Sequence, residues 1–473
     1  MVMALQQIQG RQTARYKLPS WAAHDDMVYP PHLNMEQCSS EQTARYKAAV
    51  ARRLLGDCRQ CAPSPLQSPP SSLQSAPSPL QSASSPSLQS PSSPLQSALS
   101  QKGCPTVHPT ENSPHTTLID LTGGLGVDFS FMSRAFSRAI YVERNADLCA
   151  LATANFRTLG LQTETVCSDG ISYFRTFADP IGMVFIDPAR RDGHGGRTYD
   201  MADCTPDVLS VKDELLEKAR VVMLKLSPML DWRKAVSDLG AERVSEVHIV
   251  AVGGECKELL VVMQRQPHRR PLRVVCVNDN SVWVARPGAQ SALTELPSSC
   301  KSVPKPLSDR RSDASDNDGD DAFCRKMGCI LPQNGTRFAA KWNAFCRKME
   351  NEGVGMYLLE PNAAAMKSGL FNLLADDFNI LQLAPNSHLF LSEVEVRRFP
   401  GRQFSIVDVT TMNKRELRRH LGDMKQANIT VRNFPLTVVQ LRQRLKINEG
   451  GSTYIFATTL ANGDHVLLIA QRI

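Results

Sequence analysis

Residues 118–129, LIDLTGGLGVDF, combine an apolar run, two carboxylates and three glycines. This pattern predicts a strand that ends in a glycine-rich ligand loop. A triphosphate loop requires a lysine followed by Ser or Thr after the glycines, and none follows here. A dinucleotide loop requires a third small residue three positions after Gly126, where this chain has Phe129. The loop is therefore predicted to bind another kind of ligand.

Three more carboxylates come at the ends of apolar runs further along the chain. Glu143 ends AIYVE, Asp169 follows TETVC, and Asp187 ends MVFID. Each acid alone could simply cap a helix. The carboxyl ends of parallel strands, however, meet at one edge of a sheet, where such folds bind ligands. Together with Asp120, these acids are predicted to surround a single site.

The spacing Asp120-x-x-x-Gly124-x-Gly126 resembles the first motif of class I S-adenosylmethionine-dependent methyltransferases. The resemblance implies S-adenosyl-L-methionine as cofactor, with the glycine backbone near its methionine part. It also implies that Glu143 binds the ribose hydroxyls and that Asp169 contacts the adenine amino group. The cofactor-binding residues implied in this way are Asp120, Thr122, Gly124, Gly126, Glu143 and Asp169.

The run Asp187-Pro188-Ala189-Arg190 resembles the Asp/Asn-Pro-Pro-aromatic loop of amino-group methyltransferases that act on nucleic-acid bases. In that loop the acid and a backbone carbonyl accept hydrogen bonds from the amine and aim its lone pair at the methyl group. The resemblance implies catalytic roles for Asp187, Pro188 and Arg190. Here Ala189 replaces the second proline and Arg190 the aromatic residue, and an arginine can stack on a base or bind a phosphate.

The same loop also resembles the Asp-Pro-Pro-Arg loop of uracil-C5 RNA methyltransferases, which require a cysteine nucleophile. Cys204 and Cys256 are the thiols predicted near the sheet edge. Neither lies in a motif that matches the nucleophile of that family. Methylation of a base amino group is therefore the favoured interpretation, and cysteine catalysis stays the alternative.

A wider resemblance covers most of the chain. The motifs DLTGGLGVD, VFIDPARRDG, KLSPMLDW, GGECKELL and YLLEPNAAAMKSGL occur in this order before a basic C-terminal segment. Together they resemble a bacterial group of class I methyltransferases with a ferredoxin-like segment and a THUMP-like domain. This resemblance implies an RNA partner, ribosomal or transfer RNA, bound by the accessory domain.

Positioning these residues requires an α/β fold. Apolar runs alternate with amphipathic stretches between residues 118 and 263, which predicts a Rossmann-like, mainly parallel sheet. VHIVAV and ELLVVM, joined by GGECK, predict an antiparallel hairpin at its edge. The C-terminal segment predicts a small α+β domain in the order β-α-β-α-β-β.

Composition shifts divide the chain into six predicted parts. They are a helical leader (1–61), a disordered Pro/Ser/Gln insert and linker (62–110), the methyltransferase domain (111–270), a variable connector with a low-complexity insert (271–353), a ferredoxin-like segment (354–400) and a THUMP-like basic domain (401–473). The repeated LQS units of the first insert cannot form a coiled coil, because nearly every unit contains a proline.

Positive charge is concentrated near the C-terminus. The chain carries a net charge of +7, yet residues 397–446 alone hold twelve Lys or Arg against three acids. Such a segment is typical of a polyanion-binding appendage, although a solvated helix face is the alternative. The residues predicted to bind RNA are Lys414, Arg415, Arg418 and Arg419.

Other features limit the location and the class of protein. No apolar run has the length of a signal peptide or a membrane span, so we expect a cytoplasmic protein without a membrane partner. Thirteen cysteines without a secretion signal indicate reduced thiols, and the single CxxC at Cys58 and Cys61 does not predict a metal site. An RNA-binding protein with a vestigial methyltransferase fold and a small-molecule methyltransferase stay as alternative functions.

Deleting residues 62–101 should leave the melting temperature nearly unchanged. The segment has neither charge nor a periodic apolar face with which to pack, and long surface insertions cost little free energy. Thermal denaturation of the deletion variant and the full chain provides the measurement. A large fall in the melting temperature would show that the insert covers part of the core.

Overall fold

A computed structural model describes residues 2–56, 117–190, 201–266, 270–288, 356–460 and 463–473. The insert predicted at 62–110 and most of the connector predicted at 271–353 lie outside the described residues. Among the helices described, none is long and apolar enough to cross a bilayer.

The N-terminal segment is helical, as predicted. Its helices are α1 (Val2–Lys17), α2 (Pro19–Ala22), α3 (His32–Gln37) and α4 (Glu41–Leu55). The hydroxyl of Ser40 caps α4 by accepting a hydrogen bond from the amide of Thr43 at 3.3 Å. Helix α4 turns Ala48, Val50 and Ala51 toward the central sheet and buries them there.

A nine-stranded sheet forms the centre of the protein, in the order β11-β10-β8-β9-β7-β4-β1-β2-β3. Its strands are β1 (Thr117–Asp120), β2 (Arg138–Glu143), β3 (Glu164–Cys167), β4 (Ile181–Ile186), β7 (Ala219–Leu226), β8 (Val244–Val252), β9 (Glu255–Gln264), β10 (Arg273–Asn278) and β11 (Ser281–Ala285). Strands β3, β2, β1, β4 and β7 run parallel to their neighbours in this series. The chain order reverses beside β1, so the carboxyl ends of β1, β2 and β4 open onto one crevice.

Helices cover both faces of this sheet, because successive strand residues point to opposite faces. Leu118 packs toward α4, α5 (Val127–Met132) and α6 (Ala146–Thr158), whereas Ile119 packs into the opposite layer. The opposite layer contains the helices α7 (Gly170–Thr176), α8 (Val208–Lys218), α9 (Trp232–Leu239), α10 (Ala363–Ser368) and α11 (Phe371–Phe378). The predicted Rossmann-like sheet is therefore confirmed.

The position predicted for the hairpin was wrong in one respect. Strands β8 and β9 are antiparallel, as predicted, but β9 lies between β7 and β8 inside the sheet. Residues 259–263 are buried on both faces, as the uninterrupted apolar run LLVVM requires of an interior strand. Strands β10 and β11 add to the sheet beyond β8, so the sheet continues past residue 270, the predicted end of the domain.

The two predicted C-terminal parts share one seven-stranded sheet, in the order β13-β14-β12-β15-β18-β17-β16. Its elements are β12 (Met356–Pro361), β13 (Leu381–Gln382), β14 (Phe390–Ser392), β15 (Gly401–Thr411), α12 (Lys414–Leu421), β16 (Asn428–Arg432), α13 (Val438–Leu445), β17 (Thr453–Thr459) and β18 (His465–Arg472). The order β-α-β-α-β-β predicted after residue 401 is confirmed. Buried Glu360 of β12 pairs with Arg402 and Arg432 and so joins the two parts.

A buried ion pair fixes the leader to the sheet. The ammonium of Lys47, on α4, is fully buried and lies 2.6 Å from both carboxylate oxygens of Glu258, on β9. It also lies 3.2 Å from Oδ1 of Asp128, beside the glycine loop. Ser39 donates a hydrogen bond to the other oxygen of Asp128 at 2.7 Å. The leader thus supplies the cation for two acids that belong to the sheet domain.

A second polar contact joins α4 to β8 and β10. The hydroxyl of Tyr46 lies 2.7 Å from Nδ1 of His248, whose Nε2 lies 3.0 Å from Oε2 of Glu246. Arg53 and Arg273 both pair with Glu246. Burial lowers the pKa of His248. Both polar contacts cross the same helix–sheet boundary and set the position of α4.

Replacing Lys47 with Met should lower the free energy of unfolding by about 3–5 kcal/mol, because buried acids lose their cation. Lys234→Met is the matched control. Lys234 pairs with Asp238 on α9, but its side chain is 55% exposed, so its loss should cost about 0.5 kcal/mol. Chemical denaturation of both variants gives the comparison. Equal losses would show that the buried pair does not hold the leader.

Candidate active site

A cavity of about 840 Å³ lies at the carboxyl ends of β1, β2, β3 and β4. The residues predicted as cofactor-binding or catalytic that line it are Asp120, Thr122, Gly124, Gly126, Glu143, Asp169, Asp187 and Pro188. Leader residues 34 and 37–39 close one side of the cavity. The topology therefore brings together side chains that lie far apart in sequence, and the leader completes the wall.

The glycine loop follows β1 and needs glycine for two reasons. Gly124 and Gly126 have φ values of +55° and +80°, which L side chains rarely adopt. A Cβ on Gly126 would also lie 2.5 Å from the ring of Phe156. The turn therefore requires glycine at both positions, and α5 begins at Val127 immediately behind it.

Glu143 is held at the end of β2 by two backbone donors. Its Oε2 accepts a hydrogen bond from the amide of Gly124 and its Oε1 one from the amide of Asn145, each at 2.7 Å. Each oxygen keeps a lone-pair site for a further donor. The carboxylate is thus oriented beside the glycine loop and can accept hydrogen bonds from a pair of hydroxyls.

Asp169 caps a helix and also lies on the cavity wall. Its Oδ1 accepts a hydrogen bond from the amide of Ser172 at 2.9 Å and caps α7. The hydrogen bonds from Ser172, backbone first, lower the pKa of Asp169, so the side chain is a carboxylate at neutral pH. The residue is exposed on the cavity wall and can accept a hydrogen bond from a ligand amino group.

Asp120 lies behind the loop and is only 1% exposed. Burial raises its pKa well above the ordinary range, although the hydrogen bond from the amide of Thr122, at 3.0 Å, opposes that shift. The hydroxyl of Thr122 accepts a hydrogen bond from the amide of Asp187 at 2.7 Å. Thr122 therefore connects the glycine loop directly to the predicted catalytic loop.

Asp187 has a partner that was not predicted from the sequence. Lys225, near the end of β7, places its ammonium 2.5 Å from Oδ2 of Asp187 and 3.8 Å from Oδ2 of Asp128. Burial alone lowers the pKa of Lys225, but the surrounding carboxylates, with Asp187 foremost, outweigh it and raise the pKa. A signal was present: Lys225 is the one charged residue within the otherwise apolar run VVMLKL.

The predicted catalytic loop continues into a short ribbon. Strand β5 (Ala189–Arg190) pairs with β6 (Cys204–Thr205), and residues 191–200 between them lie outside the described residues. The side chain of Arg190 is also outside the described part, so its predicted role stays a prediction. Cys204 lines the cavity.

Cys256, the other thiol considered as a nucleophile, lies away from the cavity. Its Sγ donates to the carbonyl oxygen of Ala363 at 3.4 Å, and burial raises its pKa. This thiol packs beneath α10. Among the two candidates, only Cys204 has the position that attack on a ligand in the cavity would require.

The four residues predicted to bind RNA lie on the second sheet domain. Lys414, Arg415, Arg418 and Arg419 are all exposed and share α12. Leu421 anchors the helix in the core formed with β16, β17 and α13. The basic group is therefore a surface feature on a fixed support, separate from the cavity.

Comparison with known proteins agrees with this architecture. Residues 357–400 match a family described as a ferredoxin-like domain, and residues 401–472 match one described as THUMP domain-like. A crystal structure from Porphyromonas gingivalis W83, provisionally assigned as a methyltransferase, is 25% identical with a TM-score of 0.65. The match covers 99% of this chain and 89% of that one. The chain has the class I methyltransferase fold with ferredoxin-like and THUMP-like domains.

Several further solved structures match about a third of the chain. A Streptococcus mutans protein solved in complex with SAH is 13% identical, with a TM-score of 0.26, over 32% of this chain and 88% of its own. An rRNA methylase from Streptococcus thermophilus is 11% identical, with a TM-score of 0.25, over 33% of this chain and 89% of its own. No match was found among curated proteins. The fold assignment depends on the strand order and on the Porphyromonas structure.

Proposed function

We propose that this protein is an S-adenosylmethionine-dependent methyltransferase that acts on RNA, with a base amino group as the favoured acceptor. The observation that supports the proposal most is the cavity at the carboxyl edge of the sheet. It brings the glycine loop, two oriented carboxylates and the Asp187-Pro188 loop together. The THUMP-like domain supplies the proposed RNA-docking surface.

The hydrogen-bond acceptors of the cavity fit the cofactor. Glu143 would accept hydrogen bonds from the ribose hydroxyls, because both of its oxygens are oriented and retain lone-pair sites. Asp169 would accept one from the adenine amino group. The backbone at Gly124 and Gly126 would lie against the methionine part, since neither residue carries a side chain there. When bound, the cofactor supplies an electrophilic methyl group on a sulfonium.

Asp187 and Pro188 would orient the acceptor. One carboxylate oxygen of Asp187 and the carbonyl of Pro188 would accept the two hydrogens of an amino group, which leaves the nitrogen lone pair directed at the methyl group. Thr122 holds the Asp187 backbone at a fixed distance from the glycine loop. This contact would keep acceptor and cofactor aligned.

RNA would dock on the exposed basic residues of α12 and the segment around it. Phosphate contacts contribute affinity that is electrostatic and independent of sequence. The arrangement divides the work between two places, since the cavity lies on one sheet and α12 on the other. The proposal therefore predicts that binding and chemistry can be separated by mutation.

Glu143→Ala should weaken the affinity for S-adenosylmethionine by about 2–3 kcal/mol, because hydrogen bonds to a charged acceptor are lost. Glu164→Ala is the matched control, since Glu164 starts the neighbouring strand β3 and pairs with Arg138 on the surface. Titration calorimetry of the full chain measures both. An unchanged affinity in Glu143→Ala would remove the proposed ribose contact.

Reversing Lys414, Arg415, Arg418 and Arg419 to Glu should weaken RNA binding. The slope of log affinity against log salt should become shallower by about 0.7–0.9 per lost phosphate contact, with cofactor affinity unchanged.

Asp187→Ala should do the opposite, abolishing methyl transfer while RNA binding persists.

Arg157→Glu controls for charge alone, because Arg157 is an exposed residue at the end of α6. Filter binding across a salt series and transfer of labelled methyl groups provide the two measurements. A vestigial enzyme would show no transfer even in the wild type. A small-molecule enzyme would show transfer that is indifferent to the charges on α12.

A further inference from the structure

Lys225 lies at a place in the cavity wall that a purely structural role would not require. It comes from the apolar strand β7, its side chain is only 13% exposed, and it lines the cavity. Its closest partner is Asp187, the residue proposed to orient the acceptor. A cation at this place must influence what the carboxylate can bind.

The charges around Lys225 explain why it is required there. Lys47 from the leader already serves Glu258 and Asp128, at 2.6 Å and 3.2 Å. Lys225 is 3.8 Å from Asp128 but 2.5 Å from Asp187, so Asp187 receives most of its compensation. The two lysines and three acids form a continuous chain of alternating charge from α4 to the catalytic loop. Within this series, Lys225 connects Asp128 to Asp187, the residue proposed to orient the acceptor.

We propose that Lys225 is a positioning residue that holds Asp187 by one oxygen and cancels its charge, so that Asp187 presents its other oxygen as an acceptor within a neutral pair. The inference rests on the proposed function. It gives a role to Lys225, the first residue of the motif KLSPMLDW, to which the sequence analysis assigned none.

A neutral pair selects a particular acceptor chemistry. A lone carboxylate in a half-buried cavity attracts protonated aliphatic amines, whose nitrogen has no lone pair to accept a methyl group. The Lys225–Asp187 pair removes that attraction and still accepts a hydrogen bond from an uncharged amine. The substrate class it fits is the exocyclic amino group of a base, which is uncharged at neutral pH, and not an aliphatic amine.

The charge balance can be measured without knowing the RNA. S-adenosylmethionine carries a sulfonium charge that S-adenosylhomocysteine lacks, so the ratio of their affinities reports the charge of the site. Lys225→Met should raise this ratio in favour of the sulfonium by about three- to tenfold, and Asp187→Asn should lower it by a similar factor. The double variant should return to the wild-type ratio, and Lys225→Arg should keep it.

Lys257→Met controls for loss of any cation from the wall, because Lys257 lines the same cavity but pairs with exposed Glu255.

A thermal double-mutant cycle then tests direct pairing. Each single variant removes the nearest countercharge of the residue that remains, so the double variant should lose at least about 3 °C less than the sum of the two losses. Additive losses, or an equal ratio change in Lys257→Met, would overturn the role of Lys225. If the wild type binds neither S-adenosylmethionine nor S-adenosylhomocysteine, the proposed function fails. In that case the melting temperatures still test the pair, and additive losses would show that Lys225 and Asp187 do not interact.

Discussion

Buried carboxylates need nearby cations, and this requirement determines how the leader, the sheet and the cavity are joined. Asp128 and Glu258 lie at the back of the cavity and are 8% and 3% exposed. Burying such charges without a partner costs several kcal/mol, and the sheet domain alone places Lys225 beside only one of them, Asp128, at 3.8 Å. Lys47 of the leader supplies the missing charge at 2.6 Å. The leader is therefore part of the sheet domain in physical terms, and its contacts shape one wall of the cavity.

Strand order converts separate motifs into one site. Parallel strands bring their carboxyl ends to the same edge, and the reversal beside β1 opens the crevice there. Within it, Thr122 joins the glycine loop to Asp187 through a single hydrogen bond. A displacement of either loop would thus be transmitted to the other, which suits a reaction in which two ligands must meet within about 3 Å.

The sequence predicts the apolar strands and the acids that end them, because a buried parallel strand leaves a strong local pattern. The hairpin pattern is the same at an edge and inside a sheet, so it did not place β9; the uninterrupted apolar run LLVVM was the clue to an interior strand. Nor does the sequence predict the ion pairs of the two lysines, because their partners are distant along the chain. Lys47 and Glu258 are separated by 211 positions, and Lys225 and Asp187 by 38. The lysine within VVMLKL was the available clue, since charge in a buried strand requires a partner. The side chain of Arg190 lies outside what the structure describes.

Labelling of RNA from cells that lack this protein would show whether the protein methylates a base amino group. The full chain would be incubated with methyl-labelled S-adenosylmethionine and that RNA, and the digested nucleosides would be analysed by mass spectrometry. We expect label on the amino group of one base, absent from RNA of cells that contain the protein and absent with Asp187→Ala. Cofactor binding without label in RNA, or label on a ring carbon that depends on Cys204, would contradict it.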